Sequence, residues 1–346
     1  MIWFTAICKH VFVSTSITLL MAMSAFAQEV SLDNEAGSSF KGTKRVVIAQ
    51  FGVEFYTQLA AVGRSGGNTA RQNSKLVGVS DAVMQELVNN LYTETINKLK
   101  DAGFEVVKHD DIAADADYQA LAQKYGKTAP YVVHDSQGLG ESEHLSKIFA
   151  PTGMPTFYAS AGSSGGFLRG NMSDRIDSQN YGTGAKEAEI AKRLNATLLK
   201  FSFLANYGIT KTSKNGLLAN FANIAGRASL ETAPVLMSHD TQVQFVDATG
   251  ARAFGNVRRS GQTGAFYLDK PLQGENIFQV VEMTSGDEKK DDSVKNAVFG
   301  LFGGKKAVKT QSIEVTATDQ AYKAAFTRLL ATADNALIKA LQTARD

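Results

Sequence analysis

The chain has 346 residues, 44% of them hydrophobic and 20% charged, a composition that excludes wholesale disorder and suffices for one sizeable core or two modest domains. Its 36 basic and 34 acidic residues leave a net charge of +2, without the basic excess that a nucleic-acid binder held by counterion release would need. The only cysteine is Cys8.

The first residues read as an export signal. Lys9 and His10 are followed by an apolar stretch from Val11 to Met23, and Ala25-Phe26-Ala27 forms a small-residue cleavage box ahead of Gln28. The apolar part is shorter than the roughly 20 residues that span a bilayer. Residues 1–27 are therefore expected to be removed, and Cys8 with them. The product would carry no thiol and no disulfide, and would be soluble in the periplasm rather than lipid-anchored.

Residues 28–43 read as a polar leader. Lys44 to Phe55 then forms a strand: Val46 to Ala49 is an unbroken apolar run, after which Phe51, Val53 and Phe55 alternate with Gln50, Gly52 and Glu54. The Gly-rich segment Gly63 to Asn68 lacks both the Gly-Lys-Ser/Thr ending of a Walker loop and the helix-opening third glycine of a dinucleotide fingerprint, and reads as a surface loop. Ser80 is an N-cap candidate for a long amphipathic helix with Met84, Leu87, Val88, Leu91 and Leu99 on one stripe, closed by Gly103. Phe104 to Val107 follows as a second strand. Strand, crossover helix and parallel strand predict an α/β fold with a mixed sheet flanked by long helices, with α+β as the alternative.

A shorter helix carries Tyr118, Leu121, Ala122 and Tyr125. Lys127 to Gly184 is rich in Gly, Ser, Asp and Asn and only weakly periodic, and is expected to be a loop-rich insertion in a single domain of residues 44–346. A two-domain chain divided within it is the alternative. Further on come a helix near Ala185 to Leu194, an alternating strand from Leu199 to Ile209, a helical pattern within Lys211 to Thr232, and a strand from Val235 to Asp247. That strand turns through Asp247-Ala248-Thr249-Gly250 into Ala251 to Val257. Ile277 to Met283 is a strand, 284–307 a flexible loop, and Val308 to Val315 another strand. Thr318 and Asp319 open a last helix expected to dock on the sheet.

No G-x-S-x-G elbow, H-E-x-x-H helix or Walker loop is present. Three histidines precede an acid: His109-Asp110-Asp111, His134-Asp135 and His239-Asp240. The densest group of ligand types is Glu141, Glu143 and His144. His134, Asp135, Glu141 and His144 thus form the candidate metal set of a metal-assisted periplasmic hydrolase, an alternative that requires them to converge on one ion. Solvated turns and strand ends are the plainer reading, so no cofactor is expected. Within 297–304, Phe299, Leu301 and Phe302 are candidate binding residues. Burial under the last helix is the favoured fate of so short an apolar run, but Lys305 and Lys306 suit contact with an anionic membrane surface or a partner.

The order of elements resembles the periplasmic α/β domain shared by curli-secretion-channel (CsgG-like) proteins and penicillin-binding-protein activator lipoproteins. The matching residues are Val46 to Ala49, the helix from Ser80, Gly103-Phe104-Glu105-Val106-Val107, Asn195-Ala196 leading into Leu198 to Tyr207, Val243 to Val246 with Asp247-Ala248-Thr249-Gly250, and the helix from Thr318. Gln28 stands where those lipoproteins carry their lipidated cysteine. The resemblance implies a non-catalytic envelope protein that binds or assembles with envelope proteins or with itself.

Overall fold

The computed structural model describes residues 30–65, 68–136, 143–157, 183–210, 230–249, 263–283, 293 and 308–346. The chain is α/β, as its periodicity predicts: thirteen strands belong to one mixed sheet, and five α-helices flank it among the described residues. The spine is β2 (Arg45–Ser65), which begins where the sequence places the first strand but runs ten residues past Phe55. Its lower half has β4 (Glu105–Val107) on one side and β7 (Thr197–Thr210) on the other, both parallel to it. Its upper half has β6 (Glu143–Phe149) on one side and β3 (Asn68–Val77) on the other, both antiparallel.

Two sheets therefore share this one strand. The lower runs β4, β2, β7, β9 (Gln242–Val246), β10 (Gly264–Leu268) and β1 (Leu32–Glu35). The upper runs β5 (Tyr131–Ser136), β6, β2, β3, β13 (Val308–Thr316) and β12 (Gln279–Glu282). The end of β7 leaves β2 after Ala205 and pairs with β8 (Leu230–Leu236), which carries the two-residue β11 (Leu272–Gln273). At this fork Tyr207 Oη donates to the Ser74 carbonyl at 2.9 Å and lies 2.9 Å from Ser74 Oγ, stitching β7 to β3.

A register shift between Ile48 and Gln50 lets β2 bury both faces. Below it, Val46 and Ile48 face the main core while Val47 and Ala49 face a second, smaller one. Above it the parity inverts, and Phe51, Val53 and Phe55 join Val46 and Ile48 in the main core. The carbonyls at the shift are held from outside the sheet. Tyr118 Oη donates to Ala49 O at 2.7 Å, and His109 Nδ1 lies 3.4 Å from Ile48 O. His109 opens α2 (His109–Ala113), and Tyr118 lies in α3 (Ala116–Tyr125). Asp115 caps α3 by accepting from the Asp117 and Tyr118 amides, and it is gripped in turn by Arg193 of α4 (Thr183–Leu194) at 2.8 and 2.9 Å. That guanidinium holds the Asp115 carboxyl below the ordinary carboxylate range.

The main core is closed by α1 (Asp81–Asp101) and α5 (Asp319–Arg345), which lie together on one face. Ser80 caps α1 as its sequence suggests, and Gly103 follows the helix at φ +86°, in the left-handed region. The two helix starts are tied to each other: Asp319 accepts from the Ser80 amide at 2.7 Å and from its hydroxyl at 2.8 Å. Further along, Asp334 is fully buried between the helices, accepting from Lys98 Nζ at 2.9 Å and facing Thr95 Oγ1 at 3.0 Å. Thr95 also lies 2.8 Å from its own acceptor, Leu91 O, so its single proton serves two acceptors unless Asp334 carries a proton of its own.

Several expectations need correction. The supposed leader contributes β1, paired with β10, and a 3-10 turn whose Phe40 is fully buried. The Gly-rich segment is no loop between strand and helix but the end of β2 and the start of β3, joined as a hairpin. The single strand expected over Val235 to Asp247 is two, β8 and β9, separated by a turn with His239 at φ +63°. Within Lys127 to Gly184, β5 and β6 are paired members of the upper sheet. The helical pattern within Lys211 to Thr232 lies outside the described residues except for Leu230 to Thr232, which belong to β8. The turn partner expected over Ala251 to Val257 also lies outside them, and β9 pairs instead with β10.

Burial is the larger influence on Asp334 and raises its pKa against the opposing pull of Lys98. A folded pKa above the unfolded one contributes stability that is fully present below about pH 4 and is lost as pH rises through the folded value. Asp334→Asn should accordingly gain on the natural chain as pH rises from about 4 to 8, by up to about 1–2 kcal/mol in urea unfolding. A gap widening in favour of Asp334 would mean that the Lys98 pairing dominates.

Candidate functional site

Two features of the sheet stand out as places where a partner or ligand would be met. The first is a pole. Taking β2 as running upward, the pairs Ser65 with Asn68, Ser136 with Glu143 and Thr210 with Leu230 all mark upper strand ends. β13 likewise starts beside the start of β3, with Val308 opposite Thr69, so the connection leaving β12 returns at the same end. Four chain connections thus meet the sheet at one pole.

All the residues singled out in sequence belong to this end. His134 and Asp135 are on β5 and His144 is on β6, in a register that sets Asp135 opposite His144 and His134 opposite Leu145. Glu141 lies between those strands, outside the described residues. Phe299, Leu301 and Phe302 lie in the connection from β12 to β13, also outside them. The other His-acid pairs are elsewhere: His109 at the start of α2 and His239 in the turn before β9. Among the described residues no group of three or more His, Cys, Asp or Glu is arranged to hold a metal.

The second feature is a polar band on the sheet face opposite α1 and α5. Above the bulge, the residues of β2 directed away from the main core are Gln50, Gly52 and Glu54. The register sets Gln50 beside Lys200 and Lys200 beside Gln244, and sets Gly52 beside Ser202 and Ser202 beside Gln242. Each of these polar side chains is less than a tenth exposed. Lys200 Nζ pairs with Glu187 of α4 at 3.2 Å, Ser202 Oγ donates to Asp240 O at 3.1 Å, and Ser146 of β6 donates to Glu54. Gln244 Nε2 is buried without a hydrogen-bond partner among the described residues. The band holds an ammonium, two carboxylates and carboxamides, groups suited to binding polar partners. Among these described side chains there is no nucleophile paired with a base and an orienting group.

Sequence reading treated Lys200 and Ser202 as an outward face and missed the band. The available signal was a shared phase: Gln50 and Glu54, Lys200 and Ser202, and Gln242 and Gln244 all alternate with core residues on strands that prove to be neighbours. A cleft of about 260 Å³ lies at the end of β4, lined by Ile48, Tyr92, Ile96, Lys100, His109 and Asp110 among others. Burial lowers the His109 pKa, partly offset by the Ile48 carbonyl and Asp110, and so favours the neutral imidazole that the contact with Ile48 O requires of Nδ1–H.

No protein-family model, curated protein or solved structure matches the chain.

The buried pair predicts an asymmetry. Glu187→Gln should cost about 3–5 kcal/mol in denaturant unfolding because it leaves Lys200 charged in a dry site, and adding Lys200→Met should recover much of that loss. If the double variant is no more stable than the single, the two side chains are not energetically coupled.

Proposed function

We propose that the chain is a non-catalytic, exported cell-envelope protein that binds or assembles with other envelope components, or with copies of itself, through the pole of its upper sheet. The supporting observation is the convergence of four connections on one end of a sheet built around a single shared strand. Loops carried together on a rigid scaffold are where binding specificity is usually placed. The apolar Phe299, Leu301 and Phe302 and the two lysines after them belong to one of these connections, which suits a protein partner or an anionic membrane surface. The resemblance in element order to CsgG-like and activator-lipoprotein domains is consistent with the same class. Export rests on the signal at the N-terminus, and the protein recovered from the periplasm should begin at Gln28.

One observation favours a second reading, a metal-assisted hydrolase: the register that sets Asp135 opposite His144 across the β5–β6 hairpin. Capture of the natural chain from its own envelope after cross-linking, followed by intact-mass and metal analysis, separates the two. The assembly reading expects a mature chain starting at Gln28, recovered with a specific envelope partner or as cross-linked oligomers, and expects Phe302→Asp to abolish that recovery without lowering the melting temperature. Stoichiometric zinc that disappears in the His134→Ala, His144→Ala double variant would overturn it in favour of the hydrolase.

A further inference from the structure

The described residues include only four exposed large hydrophobic side chains, and three of them are clustered: Val280, Val281 and Met283, each about half exposed, against the isolated Val132 on β5. They belong to β12 and the residue after it. This strand ends the upper sheet and pairs only with β13 among the described strands. All four of its residues are exposed, so it is open on both faces. Gln279 to Met283 contain no lysine or proline, the residues with which natural edge strands block further pairing.

The phase of the ladder can be read from one bond. Met283 N donates to Ser312 O at 2.8 Å, so Met283, Val281 and Gln279 exchange their backbone bonds with β13. The N–H and C=O of the alternate residues, Val280 and Glu282, are therefore directed toward the outer edge. An antiparallel strand added there must place outward residues opposite outward residues.

We propose that β12 is a self-association edge, pairing antiparallel with β12 of a second copy about a two-fold axis at Val281. In that register Val281 lies opposite itself as a non-hydrogen-bonded pair, Val280 exchanges backbone bonds with Glu282 of the second copy, and Gln279 lies opposite Met283. Moving the axis to Glu282 sets two carboxylates opposite each other, a destabilising like-charge pair. Moving it to Val280 leaves Val280 as the only hydrogen-bonded position paired within the strand. Centring on Val281 uses every outward position of β12 without opposing charges, which makes the strand complementary to itself. Isologous pairing of this kind closes as a dimer. So short a ladder buries less than the roughly 1,200 Å² of a stable interface, so the association is weak and concentration-dependent. The proposal depends on the assembly reading only in taking a second copy as partner, and its failure would leave the test of the pole standing.

Register-specific cross-linking tests it on the full chain in a Cys8→Ser background. Opposed residues of a non-hydrogen-bonded antiparallel pair have Cα atoms about 4.5 Å apart, within disulfide range. Under mild oxidation Val281→Cys should form a disulfide dimer, whereas Val132→Cys, equally exposed on a different edge, should not. Sedimentation equilibrium across a concentration series should show the natural chain moving from monomer toward dimer. Val281→Lys, which brings two ammonium groups together on the axis at a half-exposed position, should weaken that association by at least about tenfold with an unchanged circular dichroism spectrum. Cross-linking of Val281→Cys no faster than that of Val132→Cys, a natural chain that stays monomeric throughout, or a Val281→Lys variant that associates as before would each overturn the proposal.

Discussion

The fold depends on one extra residue. A β-strand offers alternate side chains to opposite faces, so a strand packed on both sides needs apolar residues in both phases. β2 meets this demand only along Val46 to Ala49. Beyond it the second face turns polar, and the register shift next to Ala49 decides which phase goes where. Without it, Phe51, Val53 and Phe55 would follow Val47 and Ala49 onto the α3 and α4 side, and Gln50 and Glu54 would be driven into the main core. The shift is not left to the strand itself. Arg193 grips Asp115, Asp115 caps α3, α3 carries Tyr118, and Tyr118 holds the carbonyl of Ala49. Burial raises the Tyr118 pKa, so the phenol remains a donor at any physiological pH.

The polar band follows from this geometry. Past the bulge, the face opposite α1 and α5 changes from the apolar floor of Val47, Ala49, Leu198 and Val246 to Gln50, Glu54, Lys200, Gln242 and Gln244 within one strand turn. The same spine then leaves the lower sheet at the Tyr207 fork and supports the hairpin with β3, on which β13 and β12 are built. The lower sheet with its helices forms a compact base, and the upper sheet carries the connections. A binding protein needs that division between a rigid support and a set of loops held on it.

The parts of this arrangement legible in the sequence are those written in local periodicity. α1 and α5 have long apolar stripes and side-chain caps, β7 alternates without interruption, and Phe104 to Val107 falls where a crossover must end. β3 was not legible because Asn68–Val77 has little apolar content and is stabilised by strands on either side rather than by its own pattern. β1 was missed for the same reason: Leu32–Glu35 is mostly polar and is defined by its pairing with β10. The break between β8 and β9 was hidden because its turn uses a histidine in the left-handed region instead of a glycine. Of the candidate site, the residue types were visible but their relation was not. Only the β5–β6 register places Asp135 opposite His144, and only the shared direction of β6, β7, β3 and β13 relative to β2 brings the four connections to one end.

The inversion of parity at Ala49 is the central claim, and methyl and aromatic nuclear Overhauser contacts in the labelled protein test it directly. Ile48 and Phe51, three residues apart, should both show contacts to Tyr92 of α1, while Val47 and Ala49 should show contacts to Tyr118 and Ile190. An unbroken strand would instead put Ile48 and Phe51 on opposite faces. Finding Phe51 against Tyr118, or Ile48 against Ile190, would contradict the account.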